Sequence, residues 1–262
     1  MSTADLATQE QSPHVLAQRG GVIAIDKPAG MPVQIAQAGA ALDLVTWARQ
    51  QIGDPGLTRA HRVDLESSGV VLLSADRKAL GALGAQFAEG QVEITYLALV
   101  FGRTHDKGII RRPLADAPRA RPVEAVTRYR TVERLGGFSL LAVRPATGRK
   151  HQIRRHLQGI GHPVVGDTRY GPPRFRPVPA FPGRLWLHAH RVRLPDGWEV
   201  LSPLPASLEA HLEVLRAGAA PEISEAEADQ AHELDEIEGD APAGEAPDTG
   251  APAADAPEPS ED

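Results

Sequence analysis

The sequence predicts an α+β fold, in which helices pack on a β-sheet, followed by an acidic tail. Residues 70–73 and 92–101 have the composition of buried strands, and a segment of helical periodicity lies between them. A second pair of strand-like segments meets at Gly136-Gly137, as in a β-hairpin. Residues 217–262 contain 15 Asp and Glu and no Lys or Arg, so residues 1–216 carry a formal charge of +9. These observations indicate one folded domain with a tail of a different kind.

The first half of the chain divides into clear elements. Residues 1–20 predict a flexible lead-in, residues 21–216 the folded domain and residues 217–262 a disordered tail. Residues 22–25 predict a buried strand that ends at the turn formed by Pro28 and Gly30. Residues 41–52 predict a helix that ends at residues 53–56. After the strand at 70–73, Asp76 can cap a helix and Gly90 lies just past its end.

The second half predicts further strands and two helices. Periodicity does not decide whether the strand at 92–101 lies next to the strand at 70–73. Residues 104–122 predict a basic loop interrupted by prolines, and residues 123–135 and 138–143 predict the hairpin. Residues 149–158 predict a basic helix, residues 172–184 a loop, residues 185–194 a strand pair, and residues 205–216 a closing helix.

Composition excludes several function classes. The chain has no cysteine, which excludes disulfides, thiolate catalysis and cysteine-ligated metal sites. No apolar run approaches the length of a membrane span, and the first residues do not resemble a secretion signal. We therefore expect a cytoplasmic protein with no membrane partner. The positive charge of residues 1–216 favours a polyanionic partner, above all a nucleic acid.

Two stretches carry candidate chemistry. Asp64 follows Arg62 in a Ser/Gly turn that leads into a strand, a placement that suits a catalytic carboxylate, although an aspartate can also simply cap such a turn. Residues 148–157 and 161–171 concentrate cations and imidazoles and offer Asp64 a counter-charge. Arg154 lies beside the apolar face of the basic helix and can point into a site. Lys27 is a candidate phosphate contact, with a solvated loop lysine as the alternative.

These motifs resemble the RluA-type RNA pseudouridine synthases. The resemblance rests on His61-Arg62-Val63-Asp64 with Ser68-Gly69, on Tyr96-Leu97-Ala98-Leu99-Val100 with Gly102, and on the blocks at 148–157 and 161–171, in that order. Arg155, within Arg-Arg-His-Leu, is similar to the branch that acts on transfer RNA. Two positions depart from the family: Ile94 stands where many members have a lysine, and Val63 replaces a leucine.

The resemblance implies the isomerisation of uridine to pseudouridine in RNA without cofactor or metal. It implies a mixed, mostly antiparallel sheet with flanking helices and a basic central cleft. Asp64 would be the catalytic carboxylate, which Arg154 pairs with and keeps ionised, while Tyr96 would lie on the uracil and Arg62 would hold the flipped nucleotide open. For Tyr96, packing in the core is the alternative. We expect further RNA contacts from His61, Lys27, Arg149, His151 and Arg155.

The resemblance leaves the RNA substrate and two other classes of function open. Transfer RNA is the favoured substrate of a monomeric enzyme, and ribosomal RNA is the second candidate. A metal hydrolase could use His151, His156, His162 and Asp167, but their spacing fits no familiar zinc pattern and the adjacent arginines would oppose a cation. An RNA-binding module without activity would use the same basic cleft, but would need neither Asp64 nor Tyr96.

Overall fold

The computed structural model describes residues 12–35, 42–115, 121–174 and 176–219. In these ranges the chain forms a ten-stranded sheet and four helices. The strands are β1 His14–Arg19, β2 Val22–Lys27, β3 Thr58–Arg59, β4 Ser68–Ser74, β5 Glu93–Phe101, β6 Lys107–Arg111, β7 Val126–Leu135, β8 Phe138–Pro145, β9 Leu187–Arg193 and β10 Glu199–Leu201. The helices are α1 Leu44–Ile52, α2 Arg77–Ala88, α3 Gln152–Gly159 and α4 Ala206–Val214, the last of which continues into a wide turn over Leu215–Ala219.

The sheet is mixed and mostly antiparallel, which confirms the predicted fold class. The strands are ordered β1-β2-β4-β9-β5-β8-β7-β6, with β3 paired to β4 and β10 paired to β9. Strands β4 and β9 run parallel, and the other strand pairs in the described ranges are antiparallel. Strand β9 separates β4 from β5, so the two strands that flank α2 are not neighbours.

Apolar residues cover both faces of the sheet, but unequally. Val71 and Leu73 of β4 join the larger cluster, which contains residues of α1, α3 and α4. Their neighbours Val70 and Leu72 join a smaller cluster together with Leu83 of α2. Because successive side chains of a strand point to opposite faces, the two clusters lie on opposite faces of the sheet.

Most predicted elements are present. The strands at 22–25, 70–73 and 92–101 are confirmed as β2, β4 and β5, and the hairpin as β7 and β8. Asp76 caps α2 as predicted, because its carboxylate accepts the backbone N–H groups of Lys78 and Ala79.

Three predictions about elements are wrong. The expected lead-in contains β1, which pairs with β2, and the expected basic loop at 104–122 contains β6, which pairs with β7. The expected strand pair at 185–194 contains one strand, β9, and its partner β10 lies further along the chain. The predicted tail lies outside the described residues from position 220 onward. None of the helices in the described ranges is long and apolar enough to cross a membrane.

Buried polar side chains fix α3 on the sheet. The Gln152 amide donates to the carbonyl oxygen of Val126 and to the hydroxyl of Thr127, both on β7. His156, one turn later, bonds the same Thr127 hydroxyl at 2.8 Å and the carbonyl oxygen of Arg112 at 2.9 Å. These bonds set the rotation of the helix, and that rotation turns Arg154 away from solvent.

Candidate active site

Asp64 lies in the connection between β3 and β4, close to a buried arginine. The N–H of Ser67 donates to the carbonyl oxygen of Asp64 at 3.2 Å, which closes a tight turn. The Asp64 side chain is 17% exposed, and its carboxylate lies 3.6 Å from Nη1 of Arg154. The structure therefore brings the predicted carboxylate and the predicted arginine together across 90 positions of sequence.

Asp167 holds Arg154 more tightly than Asp64 does. The Arg154 side chain is 1% exposed, and its Nε and Nη2 donate to the two Asp167 oxygens at 2.7 and 2.8 Å. Burial acts to lower the pKa of Arg154, but the bonds to Asp167 and the nearby carboxylates outweigh it and raise that pKa. Burial likewise opposes ionisation of Asp167, but bonds from Arg154 and from the Tyr170 backbone lower its pKa. Both groups are charged, and the two parallel bonds to Asp167 fix the direction of the remaining nitrogen, Nη1.

Glu66 and Asp64 both lie beside Nη1 of Arg154. The Glu66 carboxylate lies 3.1 Å from Nη1 of Arg154, and its side chain is 43% exposed. The sequence analysis predicted neither Glu66 nor Asp167 as a partner of Arg154. It considered Asp167 only as a possible metal ligand. Arg154 is thus surrounded by three carboxylates, of which Asp64 makes the longest contact.

Tyr96 lies in β5 and belongs to the larger apolar cluster. It pairs with Val143 of β8 and Ala189 of β9, and 8% of its surface is exposed. Burial raises the pKa of Tyr96, and the negative charge of Asp64 raises it further. The phenol is therefore neutral at physiological pH and close enough to Asp64 to respond to its charge.

His151 and Tyr170 form one edge of the site. His151 precedes α3 with a φ of 52°, a left-handed conformation that is unfavourable for a residue with a side chain and that occurs mainly at functional positions. Its Nδ1 lies 3.1 Å from the Tyr170 hydroxyl, and burial lowers the pKa of His151. The guanidinium groups of Arg154 and Arg169 lie 5.4 and 5.5 Å from the centre of the Tyr170 ring. The backbone N–H of Tyr170 donates to Asp167, which connects this edge to the arginine.

The remaining predicted arginines occupy different environments. Arg62 is exposed, and within the described ranges its side chain makes no hydrogen bond or ion pair. Arg149 is partly buried and donates to the carbonyl oxygen of Glu124, and Arg155 is partly buried and donates to that of Ala115. Arg149 and Arg155 thus both hold the connection between β6 and β7.

The predicted phosphate contact of Lys27 is wrong. Lys27 is 0% exposed, and its amine donates to the carbonyl oxygens of Pro28, Met31, Leu65 and Ser67 at 2.6 to 3.2 Å. Burial lowers the pKa of Lys27 to about 7. The side chain points inward from the end of β2 and ties the loop after β2 to the turn that carries Asp64. Lys27 therefore positions the candidate carboxylate and cannot reach RNA.

The predicted RNA contact of His61 is also wrong. Its Nε2 accepts the backbone N–H of Leu72 at 3.0 Å, and its ring packs 5.1 Å from that of Phe87 in α2. Burial lowers the pKa of His61 to about 4, so the ring is neutral at physiological pH. It supports the connection to β4 and offers no cation to a phosphate.

The side chains considered for a metal site do not converge. His156 bonds Thr127 and the Arg112 carbonyl, His162 bonds the Phe101 carbonyl, and Asp167 is held by Arg154. Across the described residues, no group of three His, Asp or Glu side chains could hold a metal ion.

Comparisons with known proteins agree with this geometry. Residues 21–159 match the family described as RNA pseudouridylate synthase, a span that includes Asp64, Tyr96 and Arg154. The chain is 38% identical to the ribosomal large subunit pseudouridine synthase C of Vibrio cholerae, over 60% of this chain and 53% of that protein. It is 34% identical to the tRNA pseudouridine synthase C of Pectobacterium carotovorum, over 69% of this chain and 54% of that protein. The chain thus spans about half the length of these curated relatives.

A solved structure supports the fold. The human RNA pseudouridylate synthase domain containing 4 superposes with a TM-score of 0.66, covering 77% of this chain and 92% of that one. Because the two sequences are 24% identical, this likeness shows a shared fold. The family match shows more, since it covers over half of the chain and includes the motifs at Asp64, at Tyr96 and at residues 148–157. The chain belongs to the RNA pseudouridylate synthase family.

Proposed function

We propose that this protein isomerises uridine to pseudouridine in structured RNA, as a monomer in the cytoplasm and without a cofactor. The observation that carries the proposal is the Asp64 carboxylate, held 3.6 Å from a buried arginine inside the family match. In this reaction the bond from ribose C1′ to N1 breaks and a bond from C1′ to C5 forms. The proton on C5 leaves and N1 ends with a proton, so no oxidant or reductant is needed.

Asp64 has the chemistry that this exchange requires. Breaking the glycosidic bond leaves C1′ short of electrons, and an ionised carboxylate can capture that carbon or assist proton removal beside it. Nη1 of Arg154 lies 3.6 Å from the Asp64 carboxylate and offers it an opposite charge that limits its movement. The bidentate bond to Asp167 keeps Nη1 directed at the site before substrate arrives.

Access to the uridine requires that the nucleotide leave its stack. A flipped base needs an aromatic or apolar surface to lie on and a cation to fill the vacated position. Tyr96 supplies a neutral ring near Asp64, and the exposed Arg62 supplies the cation two residues before it. Arg149, His151 and Arg155 are the remaining candidate contacts to the RNA.

The preferred substrate in this proposal is transfer RNA. The Arg155 position supports it through the family resemblance, and one relative is named for tRNA. Ribosomal RNA is the second candidate, because another relative is named for the ribosomal large subunit.

A tritium assay tests both parts of the proposal. The protein is incubated with tRNA and with large-subunit ribosomal RNA transcripts, each carrying 5-³H-uridine. We expect tritium release from tRNA with the formation of an equal amount of pseudouridine. Release from ribosomal RNA alone would support the proposed reaction and contradict transfer RNA as its substrate. No release from either RNA would contradict the whole proposal.

A further inference from the structure

Part of the sheet face opposite α3 is open to solvent and basic. Thr127 and Tyr129 of β7 point to the face that α3 covers, since Gln152 and His156 of α3 bond Thr127. Strand alternation then sends Arg128 and Arg130 to the opposite face. Both arginines are exposed, and α2 packs against other strands of the sheet.

The neighbouring strand extends this basic surface. Lys107 pairs with Arg130, and Ile109, which is 49% exposed, pairs with Arg128. Directly paired residues share a face, so Lys107 stands beside Arg130. We call Lys107, Arg128 and Arg130 the outer-strand basic face. Arg128 and Arg130 are two positions apart, about 7 Å along the strand, a spacing comparable with that of successive phosphates in one RNA strand.

The three cations of the outer-strand basic face are unpaired within the part of the chain that the structure describes. Within the described ranges, the side chains of Lys107, Arg128 and Arg130 make no ion pair or hydrogen bond. Nearby arginines do have partners: Arg134 of β7 pairs with Asp106, and Arg144 of β8, which stands beside Arg128, pairs with Glu93. The outer-strand basic face is therefore available to an external polyanion.

Positive charge also lies around the edge of the sheet that borders this face. Strand β6 is the last strand on that side. Arg111 ends β6 and is exposed, whereas the guanidinium of the next residue, Arg112, lies beside Gly159 at the end of α3. Arg111 and Arg112 thus place positive charge on both sides of the sheet edge at β6.

We propose that the outer-strand basic face binds a second segment of the substrate RNA, through its phosphates, after that RNA passes over β6. This inference rests on the proposed function, because it takes RNA as the substrate at Asp64. The contacts are with the RNA backbone, so they add affinity without reading sequence. They would favour long, structured RNA over a short fragment that reaches only the site around Asp64.

The test compares two double variants of equal charge. Arg128→Gln/Arg130→Gln removes two cations of the outer-strand basic face, and Arg77→Gln/Lys78→Gln removes two exposed cations from α2. Binding to an RNA duplex of about 20 base pairs is measured by fluorescence anisotropy between about 50 and 200 mM salt. We expect the first variant to bind about tenfold more weakly at low salt, and the slope of log affinity against log salt to fall by about 2. The α2 variant should change Kd less than about twofold.

Further measurements separate the explanations. Arg128→Lys/Arg130→Lys should retain most of the affinity, because a phosphate contact needs charge more than geometry. In the tritium assay, the glutamine variant should raise KM and leave kcat unchanged. Equal weakening in both double variants would show a general charge effect and overturn the inference. The inference would also be overturned if Arg128→Gln/Arg130→Gln left the Kd for RNA unchanged but weakened binding to poly-L-glutamate. That result would indicate an acidic protein partner. If the wild-type protein releases no tritium, the proposed function fails, while the anisotropy comparison still tests the face.

Discussion

At the scale of single residues, the candidate site is built around one buried guanidinium. The sequence, through its family resemblance, paired Arg154 with Asp64, and the structure places them 3.6 Å apart. It did not pair Arg154 with Asp167 or Glu66, because only the fold brings these groups together. Lys27 was misjudged for a related reason: nothing local shows that a lysine at the end of a strand points inward at four carbonyl groups.

Asp167→Asn tests whether Asp167 holds Arg154. The change keeps the shape but removes the charge that neutralises a buried arginine. Removing one partner of a buried ion pair costs about 3–5 kcal/mol, and we expect a loss of that order in the free energy of unfolding measured with urea. Asp106→Asn, which breaks an exposed pair with Arg134, is the matched control and should cause no measurable change. Equal losses in the two variants would mean that Asp167 has no special role.

Tyr96→Phe separates the ring of this residue from its hydroxyl. Burial and the charge of Asp64 raise the pKa of Tyr96, so its hydroxyl keeps its proton at physiological pH. We expect the Kd for RNA to change less than about twofold and kcat to fall about 10²-fold, the size of a lost general acid–base contribution. If kcat is retained in stopped-time tritium assays, Tyr96 serves only as a surface for the base.

At the scale of elements, apolar patterns identified the central strands but not the edge strands. Strands β2, β4 and β5 are buried and were predicted, whereas β1 and β6 carry mostly exposed residues and were assigned to loops. An edge strand has few buried positions, so its sequence resembles that of a loop. The insertion of β9 between β4 and β5 was also beyond prediction, because periodicity contains no information about strand order.

Gly69→Ala tests the parallel junction between β4 and β9. Gly69 has a φ of 110°, and an added Cβ would clash with the backbone carbonyl group of Ala189. We expect a loss of about 2 kcal/mol or more in the free energy of unfolding, together with lower activity, because the turn carrying Asp64 leads into this residue. Gly84→Ala in the exposed part of α2, where an added Cβ meets nothing within 4 Å, should instead gain about 0.5–1 kcal/mol. A stable Gly69→Ala protein would contradict the tight junction.

The same junction should weaken in acid through His188. His188 is 0% exposed, its Nδ1 lies 2.9 Å from the Ser68 hydroxyl, and burial lowers its pKa to about 4. Between about pH 6.5 and 4, His188 is therefore protonated in the unfolded chain but not in the folded chain. Its contribution to stability is fully present above about pH 6.5 and is lost as the pH falls through this range. We expect His188 to lower the free energy of unfolding by about 3 kcal/mol as the pH falls across that range. Urea unfolding of His188→Gln should show a shallower decline than the wild-type protein, and parallel pH curves would contradict this role.

At the scale of the whole molecule, composition predicted a basic folded part and an acidic tail, but not where the basic residues lie. The sequence assigned positive charge to a cleft. The structure instead surrounds Arg154 with three carboxylates and places on the outer strands cations that have no ion-pair partner among the described residues. The distribution of charge between faces depends on strand register, which composition does not contain. The fold class was predictable because four ordered motifs identified the family, and the family match confirms that identification.

The central claim is that Asp64 performs the chemistry while other groups bind and position the RNA. The most direct measurement is tritium release from 5-³H-uridine tRNA by Asp64→Asn, with Kd for the same RNA measured in parallel. Asparagine keeps the shape of the side chain and its contact distance to Arg154, but it cannot capture C1′ or accept a proton as a carboxylate does. We predict a fall in the release rate of at least about 10³-fold, with the Kd changed less than about threefold. Release at near the wild-type rate would contradict the account.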